Sequence, residues 1–155
     1  MNTLQNASTV RRSHALRLLA LLLALTLLAL LPSCGNAISG DEAKERASAL
    51  VAAVGEERYK DAAALMHPSR ETAGDDIKMY FTSMTTEYGI DFTKDFQIKS
   101  WNGFRSSAYN SAYEGSYYEL TGIATADGKE FEIRVELVRN DYGYGIHNFH
   151  FDFGL

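Results

Sequence analysis

An uncharged apolar run near the amino terminus divides the chain into two parts. The run covers residues 18–31 and consists only of Leu, Ala and Thr26, and Arg11, Arg12 and Arg17 precede it. A basic segment followed by an apolar run of this length predicts a cleaved export signal. A membrane-spanning helix needs about 20 apolar residues, so a retained span fits the pattern less well. We therefore expect only the rest of the chain to form a folded domain.

The single cysteine of the chain, Cys34, stands at the end of this leader. The segment Leu31-Pro32-Ser33-Cys34 resembles the lipobox of bacterial lipoproteins, although Pro32 departs from the commonest residues at its place. The resemblance implies that residues 1–33 are a signal peptide and that lipid is attached to Cys34. It also implies that the mature protein is anchored to a bacterial membrane on its extracytoplasmic side. An ordinary secretory signal with an incidental cysteine is the alternative.

Little chain separates the proposed lipid from the predicted domain. Residues 34–40 form the lipidated end and a short tether, and a single domain is expected over 41–155. Six extended residues reach at most about 20 Å, so the domain should lie close to the bilayer. Two acyl chains are enough for stable anchoring.

The charge of the mature chain limits its partners. Three of the 15 basic residues and none of the 20 acidic residues precede Cys34, which leaves a net charge of −8 after cleavage. Such an acidic domain is a poor nucleic-acid binder, because phosphate neutralisation needs clustered Lys and Arg. The lipid on Cys34, and not a basic patch, must then hold the protein to the membrane. No Gly-rich loop opens a helix, and the sequence predicts no cofactor.

Helical signals occupy the first part of the predicted domain. Ser39 and Glu42 have the spacing of a capping box, and apolar residues then recur at helical spacing. His67 precedes Pro68 at a helix end, where it is expected to cap free carbonyls. Helices are predicted between Ser39 and Gly55, over 59–66 and over 75–88.

After Gly89 the apolar period changes from that of a helix to that of a strand. Residues 130–140 alternate, with Phe131, Ile133, Val135 and Leu137 on one face, so one face should meet a core and the other water. Asp127-Gly128 is a strong hairpin signal. Strands are predicted over 96–106 with a bulge at Asn102-Gly103, over 117–126, over 130–140 and over 144–153, and residues 109–115 are either a hairpin connection or a weak strand. Helices followed by an antiparallel meander predict an α+β fold with the N-terminal helices on the sheet.

Three segments resemble the nuclear transport factor 2-like superfamily, which is often grouped with the cystatin-like folds. They are the turn and Ala-rich helix of residues 54–63, the helix end at 65–68 and the alternating Phe149, Phe151 and Phe153. The resemblance covers roughly residues 41–155 and implies a curved, cone-like roll. Enzymes of the superfamily, such as ketosteroid isomerases and dehydratases, hold a catalytic Asp or His in the mouth of the cone. We match no residue here to that position, so the resemblance carries the fold alone.

Aromatic residues are the strongest candidates for a binding site. The sheet region contains many tyrosines, which offer a large apolar body with a polar tip and favour recognition surfaces. His147 is expected on the phenylalanine face of the last strand, at the edge of the core or in a pocket. Three positions apart on a strand, His147 and His150 point to opposite faces, so the sequence predicts no metal site. The predicted ligand-binding residues are Tyr80, Trp101, Tyr118 and His147.

Two functions fit these patterns. The first is a non-catalytic binding or interaction module of a membrane-anchored lipoprotein, which would take a small apolar ligand or an envelope protein. The second is a small enzyme of the isomerase or dehydratase kind, using His147 or an acid inside the cone. A deep pocket with a perturbed acid or histidine would favour the enzyme, and an interior filled by side chains would favour the module.

Overall fold

The structure, a computed structural model, describes residues 37–154. The predicted signal peptide and the predicted lipidation site at Cys34 lie outside the described residues. Three helices come first, with a 3-10 turn at Pro68–Arg70 before the third, and four strands follow. The helices are α1 (Gly40–Gly55), α2 (Tyr59–Ala64) and α3 (Gly74–Tyr88), and the strands are β1 (Gln97–Asn110), β2 (Gly115–Ala126), β3 (Lys129–Asn140) and β4 (Gly143–Asp152).

The strands form one antiparallel sheet in the order β1-β2-β3-β4, which confirms the predicted α+β class. The alternation predicted for β3 is also confirmed, since Phe131, Ile133, Val135 and Leu137 are buried. Asp127 and Gly128 have φ values of 50° and 73°, the pair of positive angles that a tight hairpin needs. The predicted bulge in β1 is present as a register shift between Trp101 and Gly103. β1 continues to Asn110, so the tyrosine-containing stretch before the turn is partly strand.

Only one half of the predicted capping box forms at the start of α1. The hydroxyl of Ser39 accepts a hydrogen bond from the backbone N–H of Glu42, 3.2 Å away. The carboxylate of Glu42 instead accepts from the guanidinium of Arg139 on β3. An ion pair that is distant in sequence has thus replaced the reciprocal bond expected from local spacing.

The segment after α2 pairs with the outer edge of the sheet. The helix ends at Ala64, earlier than predicted, because the next residues leave it to contact β4. Ile146 donates its N–H to the carbonyl of Leu65 at 3.0 Å, and the N–H of His67 donates to the carbonyl of Ile146 at 2.7 Å. A Cβ on Gly145 would stand 2.5 Å from the backbone of His67, so this close approach requires glycine.

The side chain of His67 caps a different group from the one predicted. Its side chain accepts a hydrogen bond from the N–H of Ser69 and so caps the beginning of the 3-10 turn, not free carbonyls at a helix end. The ring is buried, with only 1% of the residue exposed. The prediction is wrong because it treated Pro68 as a stop alone, whereas proline also favours the first position of a new turn.

Phenylalanine rings fill the space between the helices and the sheet. The ring of Phe81 on α3 lies 5.8 Å from Phe149 and 5.8 Å from Phe151 on β4, and 5.0 Å from Phe92. Phe131 on β3 contacts Phe151 edge-on at 5.6 Å. These rings, together with the aliphatic residues of α1 and β3, form one hydrophobic core. The side of the sheet that faces the helices is therefore occupied by packed side chains.

Candidate functional site

The four residues predicted to bind a ligand lie at different places. Tyr80 is half-buried on α3, with its ring 5.1 Å from that of Phe149. It lines a groove of about 300 Å³ together with Met66, Arg70, Thr72, Asp76, Ile77, Asn148 and Phe149. Burial raises the pKa of the Tyr80 hydroxyl, which therefore stays protonated.

Trp101 and Tyr118 belong to the core side of the sheet. Trp101 is half-buried and packs against the core, and its ring lies where a Cβ of Gly122 would be. Tyr118 is 7% exposed, and its ring stacks on Phe104 at 5.7 Å. Both residues therefore contribute to packing, and the contacts of Tyr80, Trp101 and Tyr118 do not bring them together.

A bulge in β4 moves His147 away from the phenylalanines. Leu137 pairs with Ile146 and Glu136 pairs with Asn148, so His147 is the additional residue between two pairs. The alternation shifts by one at this point. The imidazole contacts Tyr113 edge-on at 4.7 Å, and the core position is taken by Ile146. The expectation that His147 shares the phenylalanine face is wrong, because a bulge depends on cross-strand pairing and not on spacing within one strand.

His147 contacts a group of tyrosines and glutamates on the other face of the sheet, which we call the open face. The rings of Tyr113 and Tyr117 are parallel, with centroids 5.5 Å apart. Glu119 on β2 lies opposite Glu136 on β3 in the ladder. We name the group the tyrosine–glutamate platform, and its members are Arg105, Tyr113, Tyr117, Glu119, Glu136 and His147.

Glu119 is the charged centre of the platform. It is 7% exposed, yet it accepts hydrogen bonds from the guanidinium of Arg105 at 2.8 Å and from the hydroxyl of Tyr117 at 2.9 Å. Burial acts to raise the pKa of this carboxyl, but the two donors outweigh burial and hold the pKa below its ordinary value. Glu119 is therefore ionised at neutral pH.

The tyrosine hydroxyls of the platform keep their protons. Burial first, and the neighbouring Glu119 second, raise the pKa of Tyr117. Burial and Glu136 raise the pKa of Tyr113, whose hydroxyl lies 3.4 Å from a Glu136 oxygen. Glu119 and Glu136 are directly opposed in the ladder, where two carboxylates repel each other. A tyrosine hydroxyl donates a hydrogen bond to each carboxylate and so offsets part of this repulsion.

The platform ends in two cavities that share Ala112 and Tyr113 in their linings. One has a volume of about 240 Å³ and is lined by His147, Val138, Asn140 and the β1–β2 turn. The other, of about 350 Å³, is lined by Arg105, Tyr117 and the end of β1. Burial, with Arg70 and His67 nearby, lowers the pKa of His147, which is therefore neutral at pH 7.

This arrangement suits binding better than proton transfer. A carboxylate with a lowered pKa is a weak general base near neutral pH, and its two donors already occupy it. Within residues 37–154, no three His, Cys, Asp or Glu side chains are grouped so that they could hold a metal ion. The platform instead offers aromatic faces, carboxylate acceptors and the guanidinium of Arg105, whose side chain is 74% exposed.

Sequence reasoning missed Glu119. The only local feature that pointed to Glu119 was the presence of an acid within the otherwise apolar Tyr117–Leu120 part of a strand. Its significance depends on the β1–β2 register, which places Arg105 directly beside it. Because β1 contains three bulges, that register could not be predicted from the spacing of residues in the sequence.

In the part of the chain that the structure describes, no helix is long and apolar enough to cross a membrane. Comparisons of the whole chain with protein-family models, with curated proteins and with solved structures find no match.

Proposed function

We propose that this chain is a bacterial lipoprotein whose domain acts outside the cell membrane as a non-catalytic interaction module. In this proposal residues 1–33 are removed, Cys34 carries the lipid and the mature protein stays on the extracytoplasmic side. Support comes from the basic and apolar leader, the lipobox-like Leu31–Cys34 segment and the absence of a second cysteine in the sequence.

We infer further that the domain is a cone-like roll of the nuclear transport factor 2-like kind. The order of helices before an antiparallel meander supports this fold. So do the register shifts in β1 and β4, because bulges bend strands and increase the local twist of a sheet. An experimental structure in which the sheet is flat, or in which α3 does not cover it, would contradict this assignment.

One observation carries the choice of a binding module over an enzyme. Packed phenylalanines fill the space between the helices and the sheet, and a filled interior favours a binding module over an enzyme with a deep pocket. The tyrosine–glutamate platform presents polar and ionisable groups on the open face of the sheet. A binding partner would therefore dock on the outside of the sheet.

The chemistry of the platform favours a protein partner. Tyrosine and arginine are enriched at the centres of protein interfaces, where large side chains make both apolar contacts and hydrogen bonds. Tyr117 and Arg105 both donate hydrogen bonds to the carboxylate of Glu119, which fixes the two side chains before binding. Such preorganisation lowers the cost of ordering side chains on association.

A small apolar ligand is a second candidate, and the groove beside Tyr80 favours it. Ile77, Phe149 and Tyr80 supply apolar walls to a space of about 300 Å³. Binding there would be weakened by Tyr80→Ala and unaffected by Arg105→Ala. The two candidates can therefore be separated with one pair of variants.

The anchor is tested by mass spectrometry of the mature amino terminus and by membrane fractionation. We expect a lipid-modified Cys34 as the first residue and full recovery in the membrane fraction. The Cys34→Ser variant should lose both properties. A mature protein that begins elsewhere, or that has an unmodified thiol at Cys34, would disprove the anchor.

The module is tested by site-specific photo-crosslinking in intact cells, with the crosslinker placed at Tyr113. We expect a discrete adduct that Arg105→Ala weakens strongly. Lys99→Ala is the matched control, since Lys99 makes a similar cross-strand ion pair with Glu130 at 2.6 Å on the same sheet. If both variants weaken the adduct equally, or neither does, the platform is not the docking site.

A further inference from the structure

The folded domain begins almost immediately after the proposed lipid. The carbonyl of Ala37 accepts a hydrogen bond from Arg139 at 3.2 Å, and Ile38 is part of the hydrophobic core with 7% of its surface exposed. Only residues 35 and 36 separate Cys34 from Ala37. Three steps of extended chain span about 11 Å, so Arg139 must lie near the membrane surface if Cys34 is lipidated.

Exposed aromatic side chains belong to elements that contact the beginning of the domain. Within residues 37–154 the structure has four large apolar side chains that are strongly exposed, between 66% and 71%. Three of them are Phe104, Tyr109 and Tyr142, and we call these three the aromatic rim. The fourth, Met79, belongs to α3.

Tyr142 and Tyr109 lie in or next to turns that adjoin Arg139, the residue bonded to Ala37. Tyr142 follows Asn140 in the β3–β4 turn, and its N–H donates to the Asn140 side chain. Tyr109 precedes the β1–β2 turn, where Gly115 packs against the backbone of Arg139.

Phe104 reaches the same region through Tyr118. The two rings stack at 5.7 Å, and the hydroxyl of Tyr118 lies 2.8 Å from the Cβ position of Gly40 at the start of α1. The three rim residues are therefore linked to the beginning of the domain through Arg139, the two turns and Tyr118.

We propose that the aromatic rim rests on the lipid headgroups of the membrane and fixes the orientation of the domain. The proposal rests on the lipid anchor at Cys34 proposed above. Tyrosine is favoured at membrane interfaces, because the ring enters the apolar boundary while the hydroxyl stays hydrated. The headgroup layer is about 5–8 Å thick, which is less than the reach of the tether. Contact between rim and headgroups therefore requires no unfolding.

The occupant of this surface is a zwitterionic lipid layer and not an anionic one. Arg139 is bonded to the carbonyl of Ala37, and it is already paired with Glu42. The two turns carry the exposed acids Glu114 and Asp141. An anionic surface would repel these acids, whereas aromatic insertion needs no basic residues.

The single native cysteine makes a direct test possible. In the full chain, produced with its leader and purified from membranes, a lipidated Cys34 cannot react with a thiol label. A cysteine introduced by Tyr142→Cys or Tyr109→Cys can therefore be labelled alone with an environment-sensitive fluorophore. The protein is reconstituted into phosphatidylcholine vesicles that carry a nitroxide quencher on the headgroup. Met79→Cys is the matched control, because Met79 is equally exposed but belongs to α3.

We expect quenching at positions 142 and 109 to exceed quenching at position 79 several-fold, with thermal unfolding midpoints unchanged. Equal quenching at all three positions in a lipidated protein would overturn the orientation and leave the anchor intact. Recovery of the protein without lipid on Cys34 would overturn both. As a second measurement, Phe104→Ser with Tyr142→Ser should increase the rotational freedom of the anchored domain, and no change in that freedom would contradict the proposal.

Discussion

The buried ring of His67 donates a hydrogen bond from Nε2 to Oδ1 of Asn140, 3.1 Å away, although the two residues are 73 positions apart in the chain. The backbone N–H of Ser69 donates to Nδ1, so Nε2 is the nitrogen that carries the proton. Asn140 also accepts from the N–H of Tyr142 and donates to the carbonyl of Tyr113. One amide thus joins the α2–α3 connection, the β1–β2 turn and the β3–β4 turn.

Replacing Asn140 should destabilise the domain more than its partial exposure indicates. In Asn140→Ala the buried Nε2–H of His67 loses its acceptor, and we expect a loss of about 2 kcal/mol in the free energy of unfolding. Urea unfolding monitored by circular dichroism measures this change. Asn148→Ala, at an exposed position on β4, is the control and should change stability by less than about 0.5 kcal/mol. Equal effects of the two variants would show that the shared amide is not important.

Gly145→Ala should be costly, because the new methyl group would meet the backbone of His67 and Met66, which cannot move without breaking the two hydrogen bonds to Ile146. We expect a loss of about 1–3 kcal/mol, measured by thermal unfolding. Gly103→Ala is a suitable comparison. Its methyl group would meet only the Thr121 hydroxyl, which can rotate away. If Gly103→Ala proves as harmful as Gly145→Ala, the argument from rigid backbone contact fails.

Glu119 should make stability depend on acid pH. Its pKa in the folded protein is lower than the ordinary value of 4.5, so its contribution is complete above that value and is lost as the pH falls through the folded pKa. Glu119→Gln should therefore destabilise the protein at pH 7, by about 1 kcal/mol after allowance for the exposure of Arg105, and should reduce the loss of stability below pH 4.5. Denaturant unfolding between pH 3 and 7 measures both effects. Glu130→Gln, which removes the exposed pair with Lys99, is the control variant.

His147 should make the stability of the domain depend on pH in a higher pH range than Glu119 does. Burial lowers its pKa below 6.5 in the folded protein, so unfolding takes up a proton when the pH falls below that value. Stability should consequently decrease between pH 7.5 and 5.5, and His147→Gln should remove part of this decrease. His150→Gln, at an exposed position in the third pair after the bulge, is the matched control. An identical slope in the wild type and in His147→Gln would contradict the burial of the imidazole.

Elements whose pattern is local could be predicted from the sequence. β3 alternates because one of its faces is buried from Phe131 to Leu137, and the turn at Asp127-Gly128 follows from backbone conformations that few residues adopt. The third helix begins within one residue of its predicted start. Asp76 there accepts the N–H of Ala73, as expected of an acid in a first turn.

Features that depend on two distant segments could not be predicted. The pairing of β4 with β3 decides on which face of the sheet His147 lies. The role of Glu119 as the charged centre of the platform depends on its ion pair with Arg105. The carboxylate of Glu42 leaves its local partner because Arg139 approaches from the sheet. In each case a contact between residues far apart in the chain is stronger than the local preference.

The two edges of the sheet hinder strand addition in different ways. On β4, residues 65–67 already use the backbone groups of Ile146. On β1, three register shifts interrupt the outer row of N–H and C=O groups. Irregular or occupied edges make it harder for neighbouring copies to join into continuous sheets, which would matter most if the proposed lipid on Cys34 confined the copies to a membrane.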